Sequence, residues 1–413
     1  MEIKTIQTDC MNKVHDGISI SNNQKSASLK TLYIISKGMN KLSEEKMKRL
    51  EVNNKIPRAT LLEDAISAEL LDERYLQEKS HAIRKFLYKL LPVSFSQLIE
   101  ALFIINRYDV VLSHKEKVGL PLALLMKVLK IRIPHIIIIS RITSVDEKKS
   151  RQKMWFLEKT KDSINKFIIW SSMQRKIAIE ELGIAPEKMI LVKRGTDQKF
   201  WKPQDRQTDM ICSVGMEARD YPTLVEALRP LNIPCHIVAG AARGEIFNTV
   251  KKLLSIRDLP DFITVGKKKP AGLRDLYARS RFVVVPLLPT DSDNGLTTIL
   301  ESMAMGKTVI CSRAEGQIDV IQDGVTGIFV PQGDVEAMRQ AILDLWNDPA
   351  RCKRMGEKAR KYIEEVHNIE QFVESIKNEI ESTMNRKFQN QNVVSRQKKI
   401  NNMKLESKQD YLQ

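Results

Sequence analysis

The stretch from Arg281 to Ser312, RFVVVPLLPTDSDNGLTTILESMAMGKTVICS, holds the residues whose types and spacing best suit chemistry. In a helix predicted over Gly295–Met305, Leu296, Ile299, Leu300 and Met303 fall at i, i+3, i+4 and i+7 and form the buried stripe. Thr297, Thr298 and Glu301 fall together on the opposite, polar face. The first turn of a helix offers free N–H groups and the positive end of its dipole, and both suit a diphosphate. Glu301 lies one turn further in, roughly 6 Å from Thr297 at about 1.5 Å per residue. That is the reach from a phosphate to a ribose, whose two adjacent hydroxyls a carboxylate accepts. Taken alone, a Glu on the polar face of an amphipathic helix is a solvated residue. The elements around it make the case for a ligand.

A buried strand, Phe282–Pro286, runs into a polar loop, Thr290–Asn294. Gly295 opens the helix, Gly306 closes it, and Thr308–Ser312 is the next strand. This order sets the helix N-terminus at the carboxyl edge of a parallel sheet, where open α/β folds bind ligands. The same alternation fills the chain. Strands are predicted at Leu29–Ser36, Asp109–Ser113, Pro134–Ser140, Lys166–Trp170 and Met189–Val192, with a helix at Pro121–Lys130. After a polar linker to Asp209 the pattern restarts with strands Met210–Val214, Cys235–Ala239 and Phe262–Val265 and helices Tyr221–Leu228 and Leu273–Ala278. Val335–Asn347, Ala350–Glu365 and Glu370–Thr383 read as closing helices. Two βαβ series imply two Rossmann-like, doubly wound α/β domains facing across a cleft. The expected division is a polar tail over 1–27, domains over 28–203 and 204–367, a last helix over 368–383 and a basic tail over 384–413.

The chain has 413 residues, enough for two cores, and a formal net charge of +16. Residues 1–200 carry 36 Lys and Arg against 23 Asp and Glu, whereas residues 201–383 carry 24 against 26. The basic half is expected to meet something anionic, such as a membrane surface or a phosphorylated lipid. The basic charge lacks interleaved aromatics or a nucleic-acid module, which sets nucleic acid aside as a partner. Five cysteines without a CxxC pair point to a reducing compartment, and Met1–Lys25 is polar, unlike a signal peptide. No run of eighteen apolar residues occurs. A cytoplasmic protein, peripheral on the inner membrane face, is the expectation.

Asp293-Asn294-Gly295-Leu296-Thr297-Thr298-Ile299-Leu300-Glu301, followed by Ser302-Met303-Ala304-Met305-Gly306-Lys307-Thr308-Val309-Ile310, resembles the signature of glycosyltransferase family 4. These are retaining, nucleotide-sugar-dependent enzymes of the GT-B fold. The family's pattern is Glu-x7-Glu before Met-Ala-x-Gly. Glu301 matches the second acid, which the resemblance assigns to the ribose, and Asp293 stands in place of the first, near the donor sugar. The amides of Gly295, Leu296, Thr297 and Thr298 match the turn that contacts the diphosphate. Ser213–Tyr221 resembles the start of the donor domain, with Met216 in place of the usual Arg; Arg219 is the nearby cation for the diphosphate. Val265-Gly266 resembles the loop near the base, and Lys267–Lys269 reads as a solvated cluster. Lys193–Asp197 with Phe200 resembles Asn-Gly-Val-Asp-x-x-x-Phe, with Arg194 replacing the Asn. The resemblance runs from about Met189 to Gln371. It also implies that the last helix returns to the first domain.

By the same resemblance, acceptors bind the first domain. The family's His after the fourth strand is absent, since Ser140-Arg141 stands there and His135 begins the strand. Arg141 is assigned to the departing diphosphate and the Gly38 amide, after Lys37, to the donor. The implied reaction moves a sugar from a UDP-, GDP- or ADP-sugar to a glycan or lipid-linked hydroxyl with retention. Asp291-Ser292-Asp293 has DxD spacing, but helix amides and Arg219 suffice for the charge, so metal independence is expected and no cofactor is implied. Two other readings remain: a nucleotide-sugar epimerase, and a degenerate GT-B protein that binds sugar or lipid as a partner. His81–Leu91 carries an apolar stripe, Ile83, Phe86, Leu87, Leu90 and Leu91, beside Arg84, Lys85 and Lys89. Such a helix either lies on anionic lipid or packs inside the domain with a solvated back.

Overall fold

A computed structural model describes residues 29–36, 44–139, 141–142, 147–239, 253, 255–256 and 258–385. The tails, Lys37, Gly38 and Ser140 lie outside the described residues. Two six-stranded, wholly parallel sheets form the molecule. The first contains β1 (Thr31–Ile34), β2 (Ala68–Leu71), β3 (Val110–His114), β4 (His135–Ile138), β5 (Lys166–Ile169) and β6 (Met189–Leu191), in the order 2-1-3-4-5-6. The second contains β7 (Ile211–Gly215), β8 (Cys235–Ala239), β9 (Ile263–Gly266), β10 (Val283–Val285), β11 (Val309–Ser312) and β12 (Gly327–Val330). Its order is 12-11-10-7-8-9, so β7, its first strand, lies where the order reverses.

The central strands are apolar because helices cover both their faces. Alternate residues of β3 separate accordingly: Val110 and Leu112 join one core cluster and Val111 another. One cluster is continuous through the molecule. It runs from Ile136 and Ile168 through Phe200 and Trp201 to Tyr277, Leu300 and Met303, and on to Ile376 and Ile380. The last helix, over 369–385, is thereby held on the first domain. Lys166 of β5 reaches Glu379 and Ser382 there, and Phe372 lies against Trp170, ring centroids 5.7 Å apart.

Two strands escape the sequence pattern. Ala68–Leu71 is short, has Glu69 at its second position and no β-branched residue, so its helix-favouring composition hides an edge strand beside β1. Gly327–Val330, not among the predicted strands, pairs with β11, and Gly327 fits because a Cβ there would sit 2.6 Å from the Val309 carbonyl oxygen. The helix predicted from Pro121 instead starts at Glu116, with Pro121 inside it. Proline favours the first turn of a helix, which is why the sequence pattern reads as beginning there.

Candidate active site

The helix Leu296–Ala304 enters at the carboxyl edge of the second sheet. Gly295 precedes it in the left-handed region, φ +93°, and no side chain caps it. The Leu296 N–H donates to the Asp293 carbonyl at 3.1 Å. The next amides, Thr297 and Thr298, belong to the first turn and have no intrahelical acceptor. The loop before them is fixed. Asn294 Nδ2 donates to the Thr290 and Ser292 hydroxyls, each at 2.8 Å, and the Gly316 N–H donates to the Thr290 carbonyl. A Cβ on Gly316 would lie 2.3 Å from the Ser292 backbone, so only glycine lets the loop rest there.

Glu301 sits one turn inside, partly buried, with the Tyr277 hydroxyl donating to its Oε2 at 3.2 Å. Burial pushes its carboxyl up to about 8; the Tyr277 bond and the Arg194 charge act against that rise. Asp293 is also raised by burial, with Arg194 and Arg141 pulling it down and Glu217 pushing it up. Three charged groups, Arg141 and Arg194 of the first domain and Glu217 of the second, therefore act on Asp293, and Arg194 acts on Glu301 as well.

The structure revises two expectations about the helix face and its cation. Thr298 is buried, not on an open polar face: its hydroxyl donates to the Val214 carbonyl at 3.3 Å, because the helix entrance packs on the end of β7. Thr297 is exposed. Arg219 is buried beneath the same entrance. Its Nε donates to the Val214 carbonyl at 3.0 Å, one terminal nitrogen to the Glu217 carbonyl at 2.8 Å and the other to Thr298 Oγ1 at 3.3 Å. No carboxylate pairs with it among the described residues, and burial lowers its pKa. The turn that folds it inward needs Ala218 at φ +51° and a bare Gly215, whose Cβ would overlap the guanidinium at 2.2 Å. Arg219 thus supplies charge from below the entrance rather than from the surface. Met216, where the family has Arg, is exposed.

The first domain brings its own groups. Arg141 donates to Asp291 Oδ1 at 2.9 Å, across the cleft, so its cation has a partner and is not open to a ligand in this arrangement. Gln174 Nε2 donates to the Asp291 carbonyl at 2.7 Å, and the Ser172 N–H to Asp319 at 2.8 Å. Asp291 is thereby held as an interdomain contact, and among the described residues no group of His, Cys, Asp or Glu forms a metal cluster. His135 is buried at the start of β4, within 2.8 Å of Ser113 Oγ, and burial lowers its pKa to about 3. Val265 and Lys267–Lys269 are exposed at the end of β9, and Gly266 lies beside His236.

Three groups escaped the sequence reading of the site. Arg194 stacks over Trp170, 5.7 Å from the ring centroid, and its backbone carbonyl meets His367 Nδ1 at 2.8 Å. It was visible as a departure from the family's Asn. His114 ends β3, one residue beyond the predicted strand, with Nδ1 2.8 Å from the Tyr33 hydroxyl. Tyr277 carries no sequence signal, since it reads as a buried helix residue.

Residues 208–362 match the family described as glycosyl transferases group 1. The match falls within the second domain. Outside it the relation is carried by fold. The chain is similar to sucrose-phosphate synthase from Thermosynechococcus elongatus, with TM-score 0.67 and 15% identity over 86% of this chain and 98% of that one. It is also similar to the Anabaena protein HepE solved with UDP and glucose, with TM-score 0.64 and 17% identity over 86% and 100%. Two facing parallel-sheet domains with these neighbours make the fold GT-B. Among curated relatives, an uncharacterised glycosyltransferase of Methanocaldococcus jannaschii is 20% identical over 56% of this chain and 64% of its own length. The Escherichia coli O-antigen chain mannosyltransferase C is 26% identical over 38% and 41%. The chain therefore spans between two fifths and two thirds of these curated relatives. No described helix is long and apolar enough to cross a membrane.

Proposed function

We propose that this chain is a glycosyltransferase that moves a sugar from a nucleoside diphosphate donor to a hydroxyl acceptor, with retention and without a metal. The observation that carries the reading is Glu301, held by Tyr277 one turn inside an uncapped helix entrance at the carboxyl edge of the second domain. In this reading the Thr297 and Thr298 amides take the diphosphate, with the Arg219 charge beneath them. Glu301 accepts the ribose hydroxyls, and Val265-Gly266 borders the base. Asp293 and Arg194 flank the sugar from opposite domains. The bond from the anomeric carbon to the diphosphate breaks as the acceptor oxygen bonds to that carbon. The diphosphate leaves with the bonding pair, and the acceptor proton passes to it on the same face. Such a step asks the protein mainly for positioning and for stabilisation of the leaving group. The relatives named for sugar transfer, and the neighbour solved with UDP, agree with this class. Free, buried thiols at Cys212, Cys235, Cys311 and Cys352 go with a reducing, cytoplasmic setting.

Calorimetric titration with UDP-, GDP- and ADP-sugars, beside Glu301→Ala, tests the donor site. Binding of one nucleotide class by the wild type and its loss in the variant is the expected result; no binding of any class overturns the reading. Product NMR reads the anomeric outcome, and activity unchanged by a chelator reads metal independence. A second reading, a GT-B protein that binds sugar or lipid without turnover, draws on Met216 and on the engagement of Arg219 with backbone carbonyls. Acceptor-dependent release of nucleoside diphosphate excludes it.

A further inference from the structure

The helices Ala82–Tyr88 and Val93–Ile104 turn much of their apolar surface outward. Their inward faces are already satisfied. Tyr88, Leu98, Ala101 and Ile104 pack into the first-domain core, and Glu100 is buried between the helices, receiving bonds from Arg84 at 2.8 and 3.2 Å and from the Tyr88 hydroxyl at 2.8 Å. What is left outside is Ile83, Phe86 and Leu90, exposed by 77%, 70% and 72%, with Phe95 at 59% and Phe103 at 61%. The Arg84 guanidinium lies 4.4 Å over the Phe103 ring and joins the two faces. The stripe from His81 to Leu91 is therefore not internal. Large side chains grouped in this way on a surface mark a contact with something.

The charge around the patch identifies the contact. From Lys79 to Ile99 the sequence has four cations, Lys79, Arg84, Lys85 and Lys89, and no carboxylate. Glu100 is buried against Arg84, Glu78 at the other end is exposed, and Lys79 pairs with Glu69 at 2.9 Å, so Lys85 and Lys89 carry the charge beside the patch. A bulky apolar centre flanked by Lys85 and Lys89 is complementary to lipid tails beneath anionic headgroups. We propose that this face docks on an anionic lipid bilayer.

Its position adds a consequence. Gln97 Nε2 donates to the Ile35 and Leu71 carbonyls at 3.0 and 2.8 Å, just past β1 and at the end of β2. The second helix thus starts at the carboxyl edge of the first sheet, the edge that faces the cleft. A docked protein would present that edge to an acceptor carried in the bilayer. This last point rests on the transferase reading; docking itself does not.

The test is flotation of the full chain with phosphatidylcholine vesicles, with and without phosphatidylglycerol. The wild type is expected to float with the anionic vesicles at low salt and less in high salt. Ile83→Ser/Phe86→Ser/Leu90→Ser is expected to weaken vesicle binding by about tenfold or more. Lys85→Gln and Lys89→Gln are expected to weaken it by about fivefold each. Phe86→Trp, which keeps the patch apolar, is expected to blue-shift on adding vesicles and to be quenched by brominated acyl chains, and it decides the matter if the triple variant misfolds. Absence of wild-type flotation overturns the proposal. So does unchanged binding of a folded triple variant, which would assign lipid affinity to other basic segments. A dimer that the triple substitution dissolves, with no vesicle binding, overturns it too.

Discussion

The two carboxyl edges that face the cleft are built in different ways. On the second domain, the groups near the helix entrance are fixed by buried contacts. Arg219 is folded under Gly215, Thr298 bonds to β7, and the loop before the helix rests on Gly316. On the first domain, the edge ends in long side chains that reach outward: Arg141 to Asp291, and Arg194 stacked on Trp170 toward Asp293 and Glu301. One edge is set in advance for a ligand of fixed shape, a nucleoside diphosphate in our reading. The other can re-form its contacts as the domains move. If that contrast holds, substitutions on the second edge should cost binding or stability outright, and substitutions on the first should change the relation between the domains.

The largest effect is expected for Glu301→Ala. Two charge-assisted hydrogen bonds to a ribose are together worth about 3 kcal/mol, or about a hundredfold in donor affinity. Titration calorimetry reads it, and an unchanged affinity would remove the ribose role. Next comes Arg219→Met, which takes the Arg219 donor from the Glu217 carbonyl and one of two side-chain donors from the Val214 carbonyl. A loss of about 2 kcal/mol in urea unfolding is expected, together with weakened donor binding. A surface arginine would show neither.

A pH series sharpens the same edge. Burial holds the empty protein's Glu301 proton up to about 8, whereas an ordinary Glu loses it near 4.5. Between those values the folded chain binds more protons than the unfolded one, so this group's contribution to stability falls as pH rises through the window and is lost above about 8. Donor binding to the carboxylate releases that proton. Affinity should therefore rise with pH toward 8, by up to about tenfold per pH unit well below the pKa. Calorimetry in buffers of different ionisation enthalpy reads the released proton, and Glu301→Gln should abolish both dependences.

The contrast between the edges also governed what the sequence disclosed. The helix Leu296–Ala304 is announced by its apolar stripe, its flanking glycines and the strands on either side, all local in sequence. The αβ alternation of the second domain is nearly complete for the same reason, apart from β12, whose leading glycine resembles a turn. The first-domain edge is assembled from residues far apart, so Arg194 and His114 become neighbours of the site only through the fold, and Tyr277 of the second domain reads as an ordinary buried helix residue until its hydroxyl meets Glu301. Burial of Arg219 was equally invisible, because it depends on a left-handed Ala218 that no residue preference announces. The exposure of Ile83, Phe86 and Leu90 was hidden too: their spacing fits an inward face as well as an outward one.

The smallest effect, and the most direct test of the movable edge, belongs to Arg141→Ala. Arg141 and Asp291 are both about a quarter exposed, so solvent screens the pair and its loss should cost no more than about 1 kcal/mol of stability. Gln174 and Ser172 would still bridge the domains. If Arg141 only clips the domains together, the variant should open more readily, seen as a larger radius of gyration by small-angle scattering, with turnover little changed. If Arg141 leaves Asp291 for the departing diphosphate when the donor binds, turnover should fall while donor affinity changes little. Asp291→Asn separates the two outcomes: it breaks the clip but keeps the cation, so it should open the cleft without the loss in turnover. Equal losses in Arg141→Ala and Asp291→Asn would mean that the closed arrangement itself is what catalysis requires, and that Arg141 acts on the geometry rather than on the leaving group.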